Sequence, residues 1–211
     1  SDVYKRQPLV GGEDVSGVAV VRRREPGLAY SVPEVRRALA RCGEMGRALE
    51  TAVAFRKQQA QVLASLRSMV ELLEESRGAE GHSRRVSQLA RAVCRHLHLR
   101  EDRADLVAVA AYLHDIGVLA VSQDLLRKTG PLTEQEQADL ARHSERGWDL
   151  LRPIGFLREV AELVRRHHDL GMGEHELSLE AQILGAAELF DELTHDGWRG
   201  PELTPEAALA H

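Results

Sequence analysis

From residue 82 onward, apolar side chains recur at steps of three and four in short blocks parted by turn-forming residues, the pattern of amphipathic helices sharing one core. The blocks predict helices near residues 82–97, 102–116, 121–127, 133–151, 155–168, 179–194 and 204–210. Pro131-Leu132-Thr133 with Glu136 downstream is a helix-start signal for the fourth. The second is the most apolar: Leu106, Val107, Val109, Ala110 and Leu113 lead to a polar pair, His114-Asp115. A polar pair on so apolar a background needs partners.

Ahead of the bundle the pattern changes. Ser31-Val32-Pro33-Glu34 has the form of a capping box with proline in the first turn. The helix it opens runs to about Ser76, and Arg77-Gly78-Ala79-Glu80-Gly81 breaks it. Within it Cys42, Met45, Leu49, Ala52, Arg56, Gln59, Leu63, Leu66, Val70 and Leu73 follow a coiled-coil seam, interrupted only by Arg56 and Gln59. A narrow stripe on so long a helix predicts a homodimer through residues 42–73. Residues 8–25 carry a Gly-Gly-Glu-Asp turn and then Val15, Val18, Val20 and Val21, which predict a strand or the second half of a hairpin. This short β remnant resembles the tail of an upstream sensory domain of the PAS kind. Residues 1–7 resemble a translated adapter sequence and are left out of the expected fold. Three segments follow: an N-terminal remnant (1–30), a connector helix (31–77) and a helical domain (78–211).

Composition narrows the class. Aromatic residues make up only 4% of the chain while Ala, Leu, Arg and Glu dominate, so the expected fold is all-α. A net charge of −5 gives no general attraction to a nucleic acid polymer or an anionic membrane. Cys42 and Cys94 lack CxxC spacing, which argues against a disulfide framework or a thiolate zinc site and for a reducing, cytoplasmic setting. No apolar run is long enough to span a bilayer, so no membrane contact is visible, although a longer protein could carry a tether.

The histidines supply the candidate chemistry. His96, His98, His175, His195 and His211 have no patterned companions, and an isolated His-Asp pair reads most simply as a core histidine satisfied by its neighbour. The others form a series: His82, His114-Asp115, His143 and His167-His168, followed by Glu188 and Asp191, each group on a different predicted helix. Imidazoles and carboxylates are the usual ligands of divalent transition metals, and a helical bundle can aim them at one interior point. Adjacent helical residues diverge by about 100°, so His167 and His168 are expected to serve two ions, or one of them to support the other.

The motifs occur in a recognisable order. Gly81-His82-Ser83 with Arg85-Val86 comes first, then Leu113-His114-Asp115-Ile116-Gly117, Lys128-Thr129-Gly130-Pro131-Leu132-Thr133 and His143 with Gly147. His167-His168-Asp169, Leu179-Glu180-Ala181-Gln182-Ile183-Leu184 and Phe190-Asp191-Glu192-Leu193 complete the set. From about Gly81 to Leu193 the chain resembles the HD phosphohydrolase superfamily, and more closely its HD-GYP branch of bacterial cyclic-di-GMP phosphodiesterases. The resemblance implies an HD-domain helical bundle behind a signalling helix and a sensory domain. It also implies a phosphodiesterase that opens a cyclic dinucleotide to linear pGpG and then GMP.

By that resemblance one divalent ion would be held by His82, His114, Asp115 and Glu188. A second would share Asp115 and take His143, His167 and His168, with His114 and Asp115 central to catalysis. Iron or manganese is what the resemblance suggests; zinc, nickel and magnesium stay open. Arg84, Arg142, Arg165 and Arg166 stand near these ligands in sequence and are candidates for holding substrate phosphates. Where the branch carries lysine after His-Asp-Ile-Gly this chain has Val118, Glu188 replaces the closing aspartate, and Leu170–Glu176 lacks the Gly-Tyr-Pro element. Gly78 stands where some members carry a third-metal glutamate, so two ions are expected. Two other readings stay open here: a signalling module that keeps the fold without turnover, and a phosphohydrolase for another nucleotide or phosphate ester.

Overall fold

The computed structural model describes residues 4–11, 14–22, 30–126, 128, 130–169, 177–195 and 202–210. The chain divides into two units, Ser1–Leu63 and Ala64–His211. In the first, β1 (Tyr4–Gly11) and β2 (Asp14–Arg22) pair antiparallel, with Pro8 opposite Val18 and a register shift between Leu9 and Val10. The valine run is thus the second half of a hairpin. Tyr4–Gln7, set aside on sequence grounds, lie in β1 opposite Ala19–Arg22. Strand pairing is made by backbone groups, which residues of any origin supply.

Helix α1 (Val32–Arg77) is continuous over 46 residues. It starts where the sequence predicts, but only half of the expected capping box is formed: Glu34 Oε2 accepts hydrogen bonds from both the backbone N–H and the hydroxyl of Ser31 at 2.7 Å, so that hydroxyl donates to the acid instead of capping an N–H. Cys42 is buried in the first unit and Val70 and Leu73 in the second, whereas Met45, Leu49, Val53 and Phe55 are exposed.

The second unit is an all-α bundle. Helices α2 (His82–His96), α3 (Glu101–Leu113), α4 (Gln123–Leu126), α5 (Glu134–Ala141), α6 (His143–Leu151), α7 (Arg158–Arg166), α8 (Leu179–His195) and α9 (Pro205–Ala208) follow in order. At its centre α3 packs on α2, α7 and α8. Ala104, Val107, Ala110 and Ala111 are completely buried, and their small side chains let three neighbours approach closely. Helix α2 answers with Val86, Ala90 and Cys94, one face at four-residue spacing. From α7 and α8 come Val160, Ala161 and Val164, and Ile183, Leu184 and Ala187.

Three predicted helices are interrupted, two of them beside a histidine. The second ends at Leu113 and tightens into a 3₁₀ segment, His114–Ala120. The fourth splits at Arg142, whose ψ of −4° turns the chain between α5 and α6. The fifth begins with a 3₁₀ turn, Gly155–Leu157, before α7. Periodicity alone registers the apolar face across such breaks and so misses them. Thr133 caps α5 in a full capping box with Glu136. The sequence expectations for Leu170–Glu176, including His175, and for Thr129, Pro201 and His211 fall outside the described residues.

Gly117 in the 3₁₀ segment lies directly on α6: a methyl group there would run into the backbone of His143 and Gly147. A Cβ on Gly147 would in turn meet Val164 at 2.9 Å. This double close approach is what brings His143 beside Asp115.

Candidate metal centre

Each histidine of the series stands where a helix begins, ends or turns. His82 opens α2, His114 opens the 3₁₀ segment, His143 opens α6, and His167 and His168 follow the last residue of α7. All but His168 are nearly or fully buried. Three of the rings are held the same way, with Nδ1 3 residues downstream of the carbonyl it bonds: His114 on Ala111 (2.8 Å), His143 on Leu140 (2.8 Å) and His167 on Val164 (2.5 Å). A carbonyl oxygen only accepts, so Nδ1 carries the hydrogen and Nε2 of the neutral ring is left with a lone pair. His82 is held by a carboxylate instead, its Nδ1 donating to Asp191 Oδ2 at 2.8 Å.

The freed Nε2 atoms converge. His82 and His114 meet Nε2 to Nε2 at 3.3 Å, His143 and His167 at 3.3 Å, and His143 and His168 at 3.2 Å. Acceptors facing each other at that distance call for a shared cation, a proton or a metal ion. Nitrogens about 2.1 Å from one ion at octahedral or tetrahedral angles are about 3.0–3.4 Å apart, so the observed separations suit a metal. The ligand atoms form two groups, His82 with His114 and Asp115, and His143 with His167 and His168. Asp115 links them, with Oδ1 3.8 Å from His114 Nε2 and 3.3 Å from His143 Nε2.

Burial and charge set the protonation states the geometry needs. Burial pushes His114 down to about 4 and holds His167 well below the ordinary imidazole value, so both stay neutral near pH 7. Burial opposes the charge of Asp115, but the His114 and His143 imidazoles and the Arg77 guanidinium outweigh it and keep the carboxyl ionised. His82 goes the other way. Burial works against its charged form, yet the Asp191 hydrogen bond and the nearby acids Asp115 and Glu74 raise its pKa.

Two carboxylates on α8 stand one turn apart and play different parts. Glu188, 5% exposed, lies 3.7 Å from both His167 Nε2 and His168 Nε2. It therefore stands beside the second group, whereas the resemblance would give it to the ion of His82 and His114. The acid beside His82 is Asp191, itself gripped by Arg85 through Nε at 2.7 Å and Nη2 at 2.9 Å. A carboxylate on the far nitrogen of an imidazole fixes the ring and raises its basicity, as in many metal centres. The expected divergence of His167 and His168 does not hold either. Regular helix ends at Arg166, and in the turn that follows both Nε2 atoms reach His143.

The connector helix takes part. Glu74, 5% exposed, accepts from the backbone N–H of Gly81 at 2.9 Å and of Ser83 at 2.6 Å. Helix α2 has no side-chain cap of its own, so Glu74 caps it from another helix and thereby holds His82. Arg77 Nη1 reaches Asp115 Oδ2 at 3.3 Å, and the Tyr112 hydroxyl donates to Glu71 at 2.7 Å. Sequence reading passed over Glu74 and Arg77. Each stands four residues after a buried seam position, Val70 or Leu73, and a charge that continues an apolar stripe was the available signal.

A cavity of about 850 Å³ opens on the site, lined by Arg77, Asp115, His143, His168 and Glu188 and also by Lys128 and Leu132. The arginines expected to meet substrate are engaged elsewhere. Arg84 is exposed and paired with Glu71, Arg142 with Asp139 and Arg165 with Glu145; Arg166 reaches Asp169 on the cavity wall.

A helical bundle that gathers five imidazole Nε2 atoms near an ionised aspartate, with Asp115, His143 and His168 lining the cavity, is the arrangement of an HD domain. The HD-domain family model matches residues 66–211, and the chain belongs to that family, whose members depend on metal ions. It is 32% identical over 144 residues to a cyclic di-GMP phosphodiesterase response regulator of Xanthomonas campestris, covering 64% of this chain and 38% of that protein. It is 30% identical over 184 residues to a cyclic di-GMP phosphodiesterase of Pseudomonas aeruginosa, covering 77% and 44%. A 3'3'-cGAMP-specific phosphodiesterase of Vibrio cholerae is 29% identical over 151 residues, covering 67% and 28%. The chain thus spans less than half the length of these curated relatives.

Proposed function

We propose that this chain is the catalytic part of a bacterial second-messenger phosphodiesterase that hydrolyses cyclic di-GMP to linear pGpG and on to GMP. The observation that carries the reading is the convergence of five Nε2 atoms beside Asp115 and Glu188, with Asp115, His143, His168 and Glu188 lining a cavity of about 850 Å³. Relatives named as cyclic di-GMP or 3'3'-cGAMP phosphodiesterases support a cyclic dinucleotide as substrate.

Two divalent ions, iron or manganese, fit the two ligand groups. His82 and His114 would hold one; His143, His167, His168 and Glu188 the other; Asp115 would serve both. When bound, such ions supply Lewis acidity at a phosphoryl oxygen and make a water acidic enough to attack phosphorus near neutral pH. The chain's own residues prepare for this. The carbonyls of Ala111, Leu140 and Val164 hold the ring hydrogens of three ligands on Nδ1, and Asp191 does the same for His82. Burial keeps His114 and His167 neutral, which metal binding requires. Asp115, ionised between the groups, can accept a hydrogen bond that orients an attacking water.

The finer assignments complete the reading. Met45 and Leu49, exposed at seam positions of α1, support pairing with a second copy, and the β-hairpin before α1 supports an upstream sensory domain. Among the described residues no helix is long and apolar enough to cross a membrane, and Cys42 and Cys94 are free thiols, which support a cytoplasmic setting. The test is hydrolysis of cyclic di-GMP by the chain loaded with manganese or iron, followed as pGpG and GMP by chromatography. Turnover that is lost in His114→Ala is the expected result; no turnover by a fully loaded chain would overturn the proposal.

A further inference from the structure

A phosphodiester binding on this cavity floor brings an anionic oxygen into a wall rich in acids: Asp115, Asp169, Glu188 and Glu192 all line it. Only two cations stand among the described lining residues, Arg77 and Lys128. Lys128 is tied to Glu136, an acid outside the lining. Val118, also in the lining, brings no charge. It is 1% exposed and packed with Leu73 and Val121 in an apolar cluster. Arg84, Arg142, Arg165 and Arg166 are held by surface or rim acids. Arg77 is different: 23% exposed, it projects from the last residue of α1 to within 3.3 Å of Asp115, the carboxylate that joins the two ligand groups.

We propose that Arg77, the terminal residue of the connector helix, is the phosphate-binding residue of this site. Its guanidinium borders Asp115, where a scissile phosphate would lie, and offers a planar pair of N–H donors matched to two phosphate oxygens. The position also ties substrate binding to the connector. Arg77 follows Glu74 by three residues on α1, so the stretch of helix that caps α2 also presents the guanidinium.

The assignment rests on the phosphodiesterase reading, and the test separates the two. The 211-residue chain, Arg77→Gln and Arg77→Lys are loaded with manganese, their metal content is counted by elemental analysis, and inorganic phosphate is titrated into each by calorimetry. Loss of one charge-assisted contact predicts phosphate affinity weaker by about tenfold or more in Arg77→Gln, with unchanged metal content and most of the affinity restored in Arg77→Lys. With cyclic di-GMP, KM should rise by a similar factor while kcat changes by less than about threefold, the signature of lost binding rather than lost chemistry. Equal phosphate affinity in all three, no phosphate binding by the unsubstituted chain, or loss of metal in proportion to loss of affinity would each overturn the assignment; the last would leave Arg77 a positioning residue for Asp115. If the chain binds phosphate as described yet hydrolyses no cyclic dinucleotide, the phosphodiesterase reading fails and the role of Arg77 stands.

Discussion

Removing the Glu74 carboxylate should damage the metal centre from outside it. Glu74 accepts from two N–H groups at the start of α2, those of Gly81 at 2.9 Å and Ser83 at 2.6 Å, and α2 has no side-chain cap of its own. Loss of an N-cap costs about 1 kcal/mol, and a buried donor left unpaired costs a further 1–3 kcal/mol or so. Ser83 is 1% exposed, so water cannot readily replace the carboxylate there. Glu74→Ala is therefore expected to destabilise the second unit by about 2–4 kcal/mol, a fall in Tm of roughly 5–15 °C for a domain of that size. Glu74→Gln keeps one acceptor oxygen and should fall between. Because His82 is the first residue of α2, Glu74→Ala should also lose metal from the His82 group at concentrations that leave His143, His167 and His168 loaded. Calorimetric melting of the metal-free chain gives the first number, and elemental analysis after dialysis against graded metal gives the second. A Tm within 2 °C of the unsubstituted chain, with metal content unchanged, would refute the idea that the connector helix caps α2.

Gly117→Ala should cost about 2 kcal/mol or more, since the added methyl meets backbone atoms of His143 and Gly147 that no rotamer change can move, and it should lower metal content by parting Asp115 from His143; an unchanged denaturant midpoint would contradict this. The metal-free chain should lose stability as pH falls from about 6.5 to 4. Over that range the unfolded chain takes up a proton that folded His114, pushed down to about 4, does not; the difference corresponds to about 3 kcal/mol, with His167 acting in the same sense, while the stabilisation from His82, whose pKa is raised, is gained above about pH 6.5 and stays constant below it. Denaturation in urea at pH 7 and 4.5 reads the sign directly. Met45→Glu with Leu49→Glu should convert a dimer to a monomer by light scattering, since both side chains are exposed within one chain and are free to meet a second copy; equal mass before and after would dismiss pairing through this part of α1.

Much of the fold was legible because its signals are local. The apolar steps of α2, the capping box at Thr133 and the position of the start of α1 at Ser31 depend only on neighbours in sequence, and each is found where expected, the α1 box with its glutamate half alone. The candidate ligand residues were legible because histidine is uncommon enough for a repeated series to stand out. What escaped was tertiary. The breaks at His114 and Arg142 come from close packing of the 3₁₀ segment on α6, which periodicity cannot express. The meeting of His167 and His168 depends on where α7 stops, not on helical angles. The arginines were sought near the ligands in sequence, whereas Arg77 reaches Asp115 across 38 positions of chain. Asp191 was noted as an acid near Glu188, but its hold on His82 spans 109 positions.

The most direct measurement of the account is metal content and hydrolysis on the same sample. The chain is purified without oxygen, its ions are counted, and cyclic di-GMP is followed beside a generic phosphodiester in parallel with His114→Ala and Asp115→Ala. The account predicts two ions per chain, turnover of the cyclic dinucleotide to pGpG and GMP, and loss of both ions' full occupancy and of turnover in the two variants. Undiminished metal in both variants, or a fully loaded chain that leaves cyclic di-GMP intact, would contradict it.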